Sequence, residues 1–135
     1  MTANSAILQQ SLEDIQWTAD GLVPVIAQEA VSGTVLMFAW MNREALNLTI
    51  STGDVVYWSR TRKQLWRKGE RSGNVQRVRD IRLDCDGDVL LIEIEQIGDV
   101  ACHTGRHRCF FRLLRDGQWV VTDPIVKNPR DMYGK

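Results

Sequence analysis

Several features that define other classes of protein are missing from this sequence. No apolar run approaches the roughly 18 residues that a membrane-spanning helix needs. The first ten residues lack a basic segment followed by an apolar one, which argues against a secretory signal. Internal repeats, low-complexity stretches and proline-rich linkers are also absent. These absences predict a single cytoplasmic domain over residues 1–135 that makes no membrane contact.

Cysteine is present in a number that argues against a disulfide framework. The chain has three cysteines, which cannot all pair with one another. A reducing compartment fits this number, with the thiols kept for metal binding or chemistry. The 135 residues, 44% of them hydrophobic and 25% charged, are enough to form an ordinary globular core.

Net charge is zero, but the charges are unevenly distributed. Nine of the 17 basic residues lie in one segment: Arg60, Arg62, Lys63, Arg67, Lys68, Arg71, Arg77, Arg79 and Arg82. The next segment is acidic, with Asp84, Asp86, Asp88, Glu93, Glu95 and Asp99. This pattern indicates an anionic ligand beside a cation site, or else two solvated strand faces. Nucleic acid is not the expected partner because the whole domain is neutral, so a small phosphorylated ligand fits better.

Apolar periodicity predicts an α+β, mainly antiparallel β domain with one or two short helices. The expected strands are 22–30, 34–41, 55–60, 75–85, 89–97, 109–115 and 119–122. The expected loops are a basic one at 61–74 and one at 98–108, which contains Cys102 and ends directly before Cys109. A helix is predicted over 43–52, beginning after Asn42 and ending at Gly53. A weaker helix is predicted in the first dozen residues.

The segment DCDGD at 84–88 is a candidate site for a hard cation. In an extended chain Asp84, Asp86 and Asp88 would project to one face and Cys85 to the other. Three neighbouring carboxylates repel one another unless water or a cation such as Mg²⁺ or Ca²⁺ neutralises them. An EF-hand is excluded because loop position 6 is Val89 rather than glycine. An acidic turn in water is the alternative.

The segment ACHTGRHRC at 101–109 is a candidate zinc site together with Cys85. Thiolates and imidazoles select zinc over hard cations, and three thiolates would leave one position open for water. Cys109, which begins a predicted strand, is otherwise a small core residue. His103 is a candidate general base or fourth ligand, and His107 is a candidate ligand or an exposed loop residue.

The segment YWSRTRKQLWRKGERSGN at 57–74 is a candidate phosphate site. Its donors are Arg60, Arg62, Lys68 and Ser72, and its glycines Gly69 and Gly73 allow backbone amides to approach an anion. Trp58 and Trp66 would stack on a purine or else belong to the core. Neither a P-loop motif nor a dinucleotide-binding motif is present.

Taken together, these motifs resemble those of a known family. The runs MFAWMNREAL, YWSRTRKQLWRKGERSGN, LDCDGD and EQIGDVACHTGRHRCFF resemble phosphoribosyl-AMP cyclohydrolase. With QWTADGLVPVIAQ and DPIVKNP, the resemblance extends over roughly residues 13–129. Arg108 departs from the family, which usually has serine there, and neither Arg108 nor His107 receives a role. The chain ends at Lys135, so the single-activity form is expected rather than a fusion.

The resemblance implies a cytoplasmic, zinc-dependent, magnesium-requiring enzyme that forms an intertwined homodimer. By the motif match, Cys85, Cys102 and Cys109 would bind Zn²⁺, and Asp84, Asp86 and Asp88 would bind Mg²⁺. The family also implies that the zinc site is shared, with Cys85 of one subunit joining Cys102 and Cys109 of the other. A two-fold interface would create two such sites at once.

The implied reaction is hydrolysis of the N1–C6 bond of the adenine ring of phosphoribosyl-AMP in histidine biosynthesis. A zinc-bound hydroxide would attack C6, and His103 would move protons. The residues expected to bind substrate are Arg60, Arg62, Trp66, Lys68 and Ser72.

Two other classes stay open on sequence alone. One is a zinc-stabilised module that binds nucleotides or RNA, with four zinc ligands and no need for the DCDGD carboxylates. The other is a zinc hydrolase that acts on a different purine or a pterin. Turnover of phosphoribosyl-AMP would separate both from the cyclohydrolase.

Overall fold

The chain forms a four-stranded sheet, two hairpins and short helices. The computed structural model describes residues 11–133. The strands are β1 (Val23–Glu29), β2 (Val35–Met41), β3 (Val56–Ser59), β4 (Gln64–Arg67), β5 (Gln76–Leu83), β6 (Leu90–Gln96), β7 (Arg112–Arg115) and β8 (Gln118–Val121). The helices are α1 (Arg43–Thr52) and α2 (Pro129–Tyr133), with a short 3₁₀ segment at Ile97–Asp99. Residues 11–13 are helical, but most of the helix predicted in the first dozen residues lies outside the described residues.

The main sheet has the strand order β2-β1-β6-β5. β1 runs antiparallel to β2, and β5 runs antiparallel to β6. β1 and β6 are parallel, with Ala27 opposite Ile92. The predicted α+β, mainly antiparallel class is therefore confirmed, with one parallel pair at the centre of the sheet. No helix among residues 11–133 is long and apolar enough to cross a membrane.

The core lies on one face of this sheet. Val23, Val25 and Ala27 alternate along β1 and are fully buried, as are Ile92 and Ile94 on β6. Side chains alternate between the two faces of a strand, so these residues share one face. Helix α1 and strand β3 pack over that face and close the core.

Helix α1 begins and ends where the sequence predicts. The side chain of Asn42 accepts a hydrogen bond from the Ala45 backbone N–H at 2.8 Å, as an N-cap does. Gly53 has φ 81° and donates to the Thr49 carbonyl at 3.0 Å. A left-handed residue in that position ends a helix and favours glycine. Helix α1 thereby leads into strand β3 and the segment that follows it.

A buried chain of polar side chains connects three strands. The Tyr57 hydroxyl donates to Gln76 Oε1 at 2.6 Å, and Gln76 Nε2 donates to Gln96 Oε1 at 2.9 Å. Gln96 Nε2 then donates to the Asn74 carbonyl at 3.0 Å. Each of these buried groups finds a partner, which avoids the free-energy penalty of an unpaired polar atom. The network holds the segment before β5 against the sheet.

The prediction of an uninterrupted loop at 61–74 is wrong. Strand β4 lies within it and pairs with β3, with Tyr57 opposite Trp66. Lys63, at φ 52°, lies in the tight turn that joins these strands. Leu65 and Trp66 are half-buried against the core, and this packing orders a segment whose charged composition suggested a loop.

Helix α2 is not among the predicted elements. Its first residue is Pro129, and the Asn128 side chain accepts a hydrogen bond from the Arg130 backbone N–H at 2.9 Å. Asparagine followed by proline is a common start of a helix. The dipeptide was therefore a usable signal, although the helix is only five residues long.

Strands β7 and β8 form a hairpin that stands apart from the core. Asp116 and Gly117, both with positive φ, make its turn, as the Asp-Gly pair predicts. Every residue of both strands is exposed in the single chain. Trp119 is 68% exposed, and the hairpin also carries Leu114 and Val121. An exposed apolar surface of this kind is typical of a protein–protein contact.

Candidate functional site

A cavity of about 350 Å³ lies between the β3–β4 hairpin, the segment that follows it and the cysteine loop 98–108. Six of the predicted site residues line it: Arg62, Trp66, Lys68, Ser72, His103 and Cys109. They come from two segments more than 30 positions apart in the chain. The fold thus places cations, an aromatic ring, an imidazole and a thiol around one space large enough for a small molecule.

Arg60 is the one predicted substrate residue that does not line this cavity. Its guanidinium lies 4.5 Å from the centroid of the Trp40 ring on strand β2. Stacking of this kind is a favourable use of an arginine side chain at a partly exposed position. In the single chain, Arg60 therefore contacts the sheet rather than the cavity.

The cysteine loop is a compact hairpin that brings two thiols together. The Cys102 N–H donates to the Arg106 carbonyl at 3.1 Å, and the Gly105 N–H donates to the Cys102 carbonyl at 3.0 Å. Cys102 is buried by this turn, and its Sγ lies 3.0 Å from the Thr104 hydroxyl oxygen. Cys109 is held at the other end, where its N–H donates to the Leu36 carbonyl of β2 at 2.6 Å.

The thiols of Cys102 and Cys109 interact directly. The protein packed around the thiol of Cys109 raises its pKa to about 12, and the neighbouring Cys102, which shares a hydrogen bond with it, acts in the same direction. Two thiolates side by side repel each other, so a nearby cation is needed before both can ionise. Zinc prefers sulfur ligands and stabilises them as thiolates. The donor chemistry of Cys102 and Cys109 therefore fits part of a zinc site.

Cys85 does not join these thiols within one chain. It is exposed in the turn after β5. Among residues 11–133, the groups of three potential metal ligands that converge contain no cysteine. A site with all three cysteines therefore cannot form in one chain as folded here.

The three aspartates of DCDGD do come together. Ligand oxygens of Asp84, Asp86 and Asp88 all lie within 4.8 Å of one another. The expected extended geometry is wrong, because β5 ends at Leu83 and the segment is a turn closed by the Gly87 N–H on the Asp84 carbonyl. Gly87, at φ 73°, permits that turn. The turn, rather than alternation along a strand, gathers the carboxylates.

Electrostatics differ within this acidic turn. Asp84 accepts a hydrogen bond from the Asp88 backbone N–H, which lowers the pKa of Asp84. The pKa of Asp88 is raised, first by loss of contact with water and then by its contact with Asp84 and the charge of Asp86. Mutual repulsion of carboxylates that lie this close is relieved by a divalent cation with oxygen ligands.

The cysteine loop is fastened to the protein on two sides. The Arg108 guanidinium donates to the Asp123 carboxylate at 2.9 Å, and Arg106 donates to the Asp123 carbonyl at 2.9 Å. His107, between them, has Nε2 3.1 Å from Glu29 Oε1 on β1 and Nδ1 2.7 Å from the Asp99 carbonyl oxygen. Burial lowers the pKa of His107, but these hydrogen bonds outweigh it and the net shift is upward. Arg108 and His107 thus hold the loop in place.

Lys68 has an unusual environment for a lysine. Its side chain is only 7% exposed, and its ammonium donates to the Ala101 carbonyl, directly before Cys102. The ammonium also lies 5.7 Å from the centroid of the Trp66 ring. Burial lowers the pKa of Lys68, whereas the nearby thiols of Cys109 and Cys102 act to raise it.

Comparison with known proteins identifies the family of the chain that forms this cavity. A sequence model of phosphoribosyl-AMP cyclohydrolase matches residues 37–111, which is more than half of the chain. The matched segment includes the β3–β4 hairpin, the cysteine loop and all three cysteines. The chain belongs to the phosphoribosyl-AMP cyclohydrolase family. The resemblance predicted from the motifs is confirmed, and so is the prediction that the chain is an enzyme of this class.

Relatives named phosphoribosyl-AMP cyclohydrolase match nearly the full chain. The protein from Nitrosospira multiformis is 62% identical over 92% of this chain and 95% of its own length. The protein from Aromatoleum aromaticum is 65% identical over 90% of this chain and 92% of its own length. The protein from Methylococcus capsulatus is 63% identical, over 91% and 96% respectively.

Arg71 and Tyr133 line the cavity of this cyclohydrolase family member but are absent from the predicted site. Arg71 is exposed at the cavity and makes no ion pair with a carboxylate of the described chain. Its place in the basic run between positions 60 and 82 was a signal, but that run alone does not say which cations face the cavity. Tyr133 reaches the cavity from helix α2, and no sequence pattern connects it to the site.

Glycine at position 69 is needed for the wall of the cavity. Gly69 has φ 85°, and a Cβ there would lie 2.4 Å from the Val75 backbone nitrogen. Any side chain would therefore push the two backbones apart, in addition to the strain of the positive φ. The close approach closes the loop that carries Arg71 and Ser72 along the cavity.

Proposed function

We propose that this protein hydrolyses the N1–C6 bond of the adenine ring of phosphoribosyl-AMP, the ring-opening step of histidine biosynthesis. The observation that carries the proposal is the cavity, which combines the thiol of Cys109, in contact with that of Cys102, with an imidazole, an aromatic ring and exposed cations. Relatives at 62% and 65% identity that bear the name phosphoribosyl-AMP cyclohydrolase support the same substrate.

Zinc is the proposed metal, bound by Cys102 and Cys109 with Cys85 of a second subunit. A bound zinc ion lowers the pKa of coordinated water and so supplies a nucleophile near neutral pH. Sulfur chemistry supports this metal, and the Thr104 hydroxyl beside Cys102 offers a hydrogen bond to the thiolate. Mg²⁺ is the proposed cation for Asp84, Asp86 and Asp88, since it prefers carboxylate oxygen.

A homodimer is proposed because Cys109, the exposed member of the thiol pair, is open to a second chain. Cys109 also lines a second cavity of about 250 Å³, on the side of the exposed hairpin, with Phe110, Arg112 and Trp119. A thiol from outside the chain can therefore approach Cys109 there. The apolar side chains of the hairpin and the exposed position of Cys85 both fit a partner subunit of the same sequence.

The cavity side chains suggest how substrate is held. Trp66 is half-buried and provides a flat surface on which a purine can stack. Arg62 and Arg71 are exposed cations at the same cavity and suit the two 5′-phosphates. Ser72 adds a hydroxyl, which already accepts a hydrogen bond from the Asn74 N–H at 3.1 Å.

His103 is proposed to move the proton. Hydrolysis adds water to C6, breaks the N1–C6 bond and leaves a proton to be delivered to N1. His103 is exposed at the cavity next to Cys102, so its imidazole can take a proton on one side and return it on the other. Positioning of this kind is what general acid–base catalysis requires.

The test is metal analysis of the purified protein together with an ultraviolet assay for ring opening of phosphoribosyl-AMP. We expect bound zinc and turnover in the wild-type protein, and loss of both in Cys109→Ser. Serine hydroxyls stay protonated and bind zinc weakly. Normal zinc and turnover in Cys109→Ser would refute the metal assignment, and bound zinc with no ring opening would favour a binding module.

A further inference from the structure

The ammonium of Lys68 is placed inside the protein rather than in water. Most lysines keep the charged end of the side chain solvated even when the stem is buried. Lys68 instead has its ammonium on the Ala101 carbonyl and beside the Trp66 ring. Its own backbone N–H donates to the Val55 carbonyl at 3.0 Å, which fixes the start of the side chain. An arrangement this restrained indicates a specific role for the charge.

Thiols are the groups near Lys68 that can carry negative charge. No carboxylate in the part of the chain described by the structure lies within ion-pair distance of it. Cys109 lines the same cavity, and Ala101, which accepts the hydrogen bond, is joined directly to Cys102. The electrostatic influence is mutual, because Lys68 also acts to lower the pKa of Cys109.

We propose that Lys68 is a positioning residue of the zinc site, whose ammonium fixes the Ala101–Cys102 backbone and balances the charge of the zinc thiolates. The inference rests on the zinc site of the proposed function. Zn²⁺ with three thiolates carries a net charge of −1. A charge that is poorly solvated is costly unless an opposite charge lies close to it. The buried ammonium supplies that charge from the wall of the cavity.

This role differs from the phosphate contact predicted for Lys68. A side chain that binds phosphate must present its N–H donors to the phosphate. Lys68 is only 7% exposed, and its ammonium already donates to a backbone carbonyl. Arg62, Arg67 and Arg71 are exposed cations at this cavity, and Arg67 is already paired with Asp54 at 2.7 Å, which leaves Arg62 and Arg71 for a ligand. We therefore assign phosphate binding to Arg62 and Arg71, and the balancing of the thiolate charge to Lys68.

Three substitutions separate charge from hydrogen bonding. Lys68→Met removes both, Lys68→Gln keeps a donor for the Ala101 carbonyl, and Lys68→Arg keeps both a donor and the charge. The measurement is the zinc Kd of the dimer, obtained by competition with a chromogenic chelator, with thermal unfolding as a check on folding. Arg71→Met is the matched control, because it removes a cation from the same cavity without touching the cysteine loop.

We expect Lys68→Met and Lys68→Gln to raise the zinc Kd by about 10–100-fold, as loss of a residue supporting metal ligands does. Lys68→Arg should recover most of the affinity, and Arg71→Met should change KM but not the zinc Kd. In the cobalt-loaded protein, the thiolate charge-transfer bands should shift in Lys68→Gln and return in Lys68→Arg.

Other results would overturn the inference. A wild-type zinc Kd in Lys68→Gln would show that only the hydrogen bond matters, and a raised KM with unchanged zinc Kd in both neutral variants would make Lys68 a phosphate ligand. Either result leaves the zinc of the wild-type protein intact. A wild-type protein that binds no zinc would instead refute the proposed function, and this inference with it.

Discussion

His103 and Cys102 are neighbours in the chain with opposite environments. The Cys102 thiol is buried in the loop, whereas the His103 side chain is exposed at the cavity. The roles proposed for Cys102 and His103 need this difference, because a metal ligand must be shielded and a proton carrier must reach substrate. Adjacent residues that divide in this way allow one short loop to serve both purposes.

His103→Ala should lower turnover by about 10²–10⁴-fold while zinc content stays near that of the wild type, since a positioned proton carrier contributes that much. The measurement pairs kcat with metal analysis of the same preparation. His103→Gln is the matched variant, because it keeps a polar side chain that cannot carry a proton through the reaction. Loss of zinc in proportion to turnover would make His103 a metal ligand instead.

Asp84→Asn, Asp86→Asn and Asp88→Asn should each weaken the dependence of turnover on magnesium while leaving zinc in place. Removing a carboxylate charge weakens a site for a hard cation, whereas the proposed zinc site depends on sulfur ligands. The measurement is a magnesium titration of turnover. Asp116→Asn, at the exposed turn of the β7–β8 hairpin, is the control and should match the wild type. Three titrations that overlay the wild-type curve would contradict the magnesium assignment.

At the scale of structural elements, the cysteine loop depends on a few contacts with its surroundings. The ion pair between Arg108 and Asp123 is one of them, and Arg108 holds the pKa of Asp123 below its usual range. A carboxylate with a lowered folded-state pKa stabilises the fold above its unfolded pKa of about 3.9. That stabilisation is lost as the pH falls through the lower, folded-state pKa.

A double-mutant cycle with Arg108→Ala and Asp123→Asn should give a coupling free energy of about 0.5–1 kcal/mol at pH 7, because solvent screens this partly exposed pair. The coupling should shrink as the pH falls below about 4. Denaturant unfolding at several pH values measures it, and effects common to all four proteins, such as acid release of metal, cancel in the cycle. A coupling that stays constant down to pH 2 would exclude the ion pair as its source.

The β7–β8 hairpin is the element expected to contact a second subunit. Trp119→Asp should raise the dimer Kd by about 30-fold or more, since a buried interface tryptophan contributes about 2 kcal/mol or more. Gln118→Asp, next to it on the same strand, adds the same charge and should have little effect. Analytical ultracentrifugation over a concentration series measures both. An unchanged Kd for Trp119→Asp would mean that the hairpin lies outside the interface.

Local signals account for the elements that the sequence predicts well. Asn42 and Gly53 bound helix α1, and Asp116-Gly117 defines the last hairpin, because each acts on its own neighbours. Strand β4 could not be predicted in this way. Strand β4 is ordered because Leu65 and Trp66 pack on a core that is assembled from distant segments. The charged residues around them in the sequence give no indication of that contact.

At the scale of the whole molecule, the proposed zinc site needs a cysteine from a second chain. Cys102 and Cys109 meet in one fold, whereas Cys85 is exposed and apart from them. Sequence motifs predict all three as ligands, but motifs carry no information on which chain supplies each of them. Likewise, the basic run predicts that Arg60 and Arg62 both bind substrate. Only the folded structure shows that the guanidinium of Arg60 lies against the Trp40 ring instead.

Subunit mixing tests the shared site. Inactive Cys85→Ser and Cys102→Ser proteins, unfolded, mixed in equal amounts and refolded, should recover about a quarter of wild-type activity. Random pairing makes about half of the dimers mixed, and each mixed dimer would have one site with both lesions and one site with all three cysteines. The control is each variant refolded alone. A mixture that stays inactive would place each zinc site within one chain.

The parallel pairing of β1 with β6 has a consequence for how the chain is made. β1 ends at Glu29 and its central partner β6 begins at Leu90, 61 residues later. β2 can pair with one edge of β1 as soon as it leaves the ribosome, but the other edge has no strand to bind until β6 emerges. At about 5–20 residues per second, translation leaves that edge open for about 3–12 s. During this interval, the nascent hairpin exposes the backbone and the apolar face of Val25 and Ala27 to other chains.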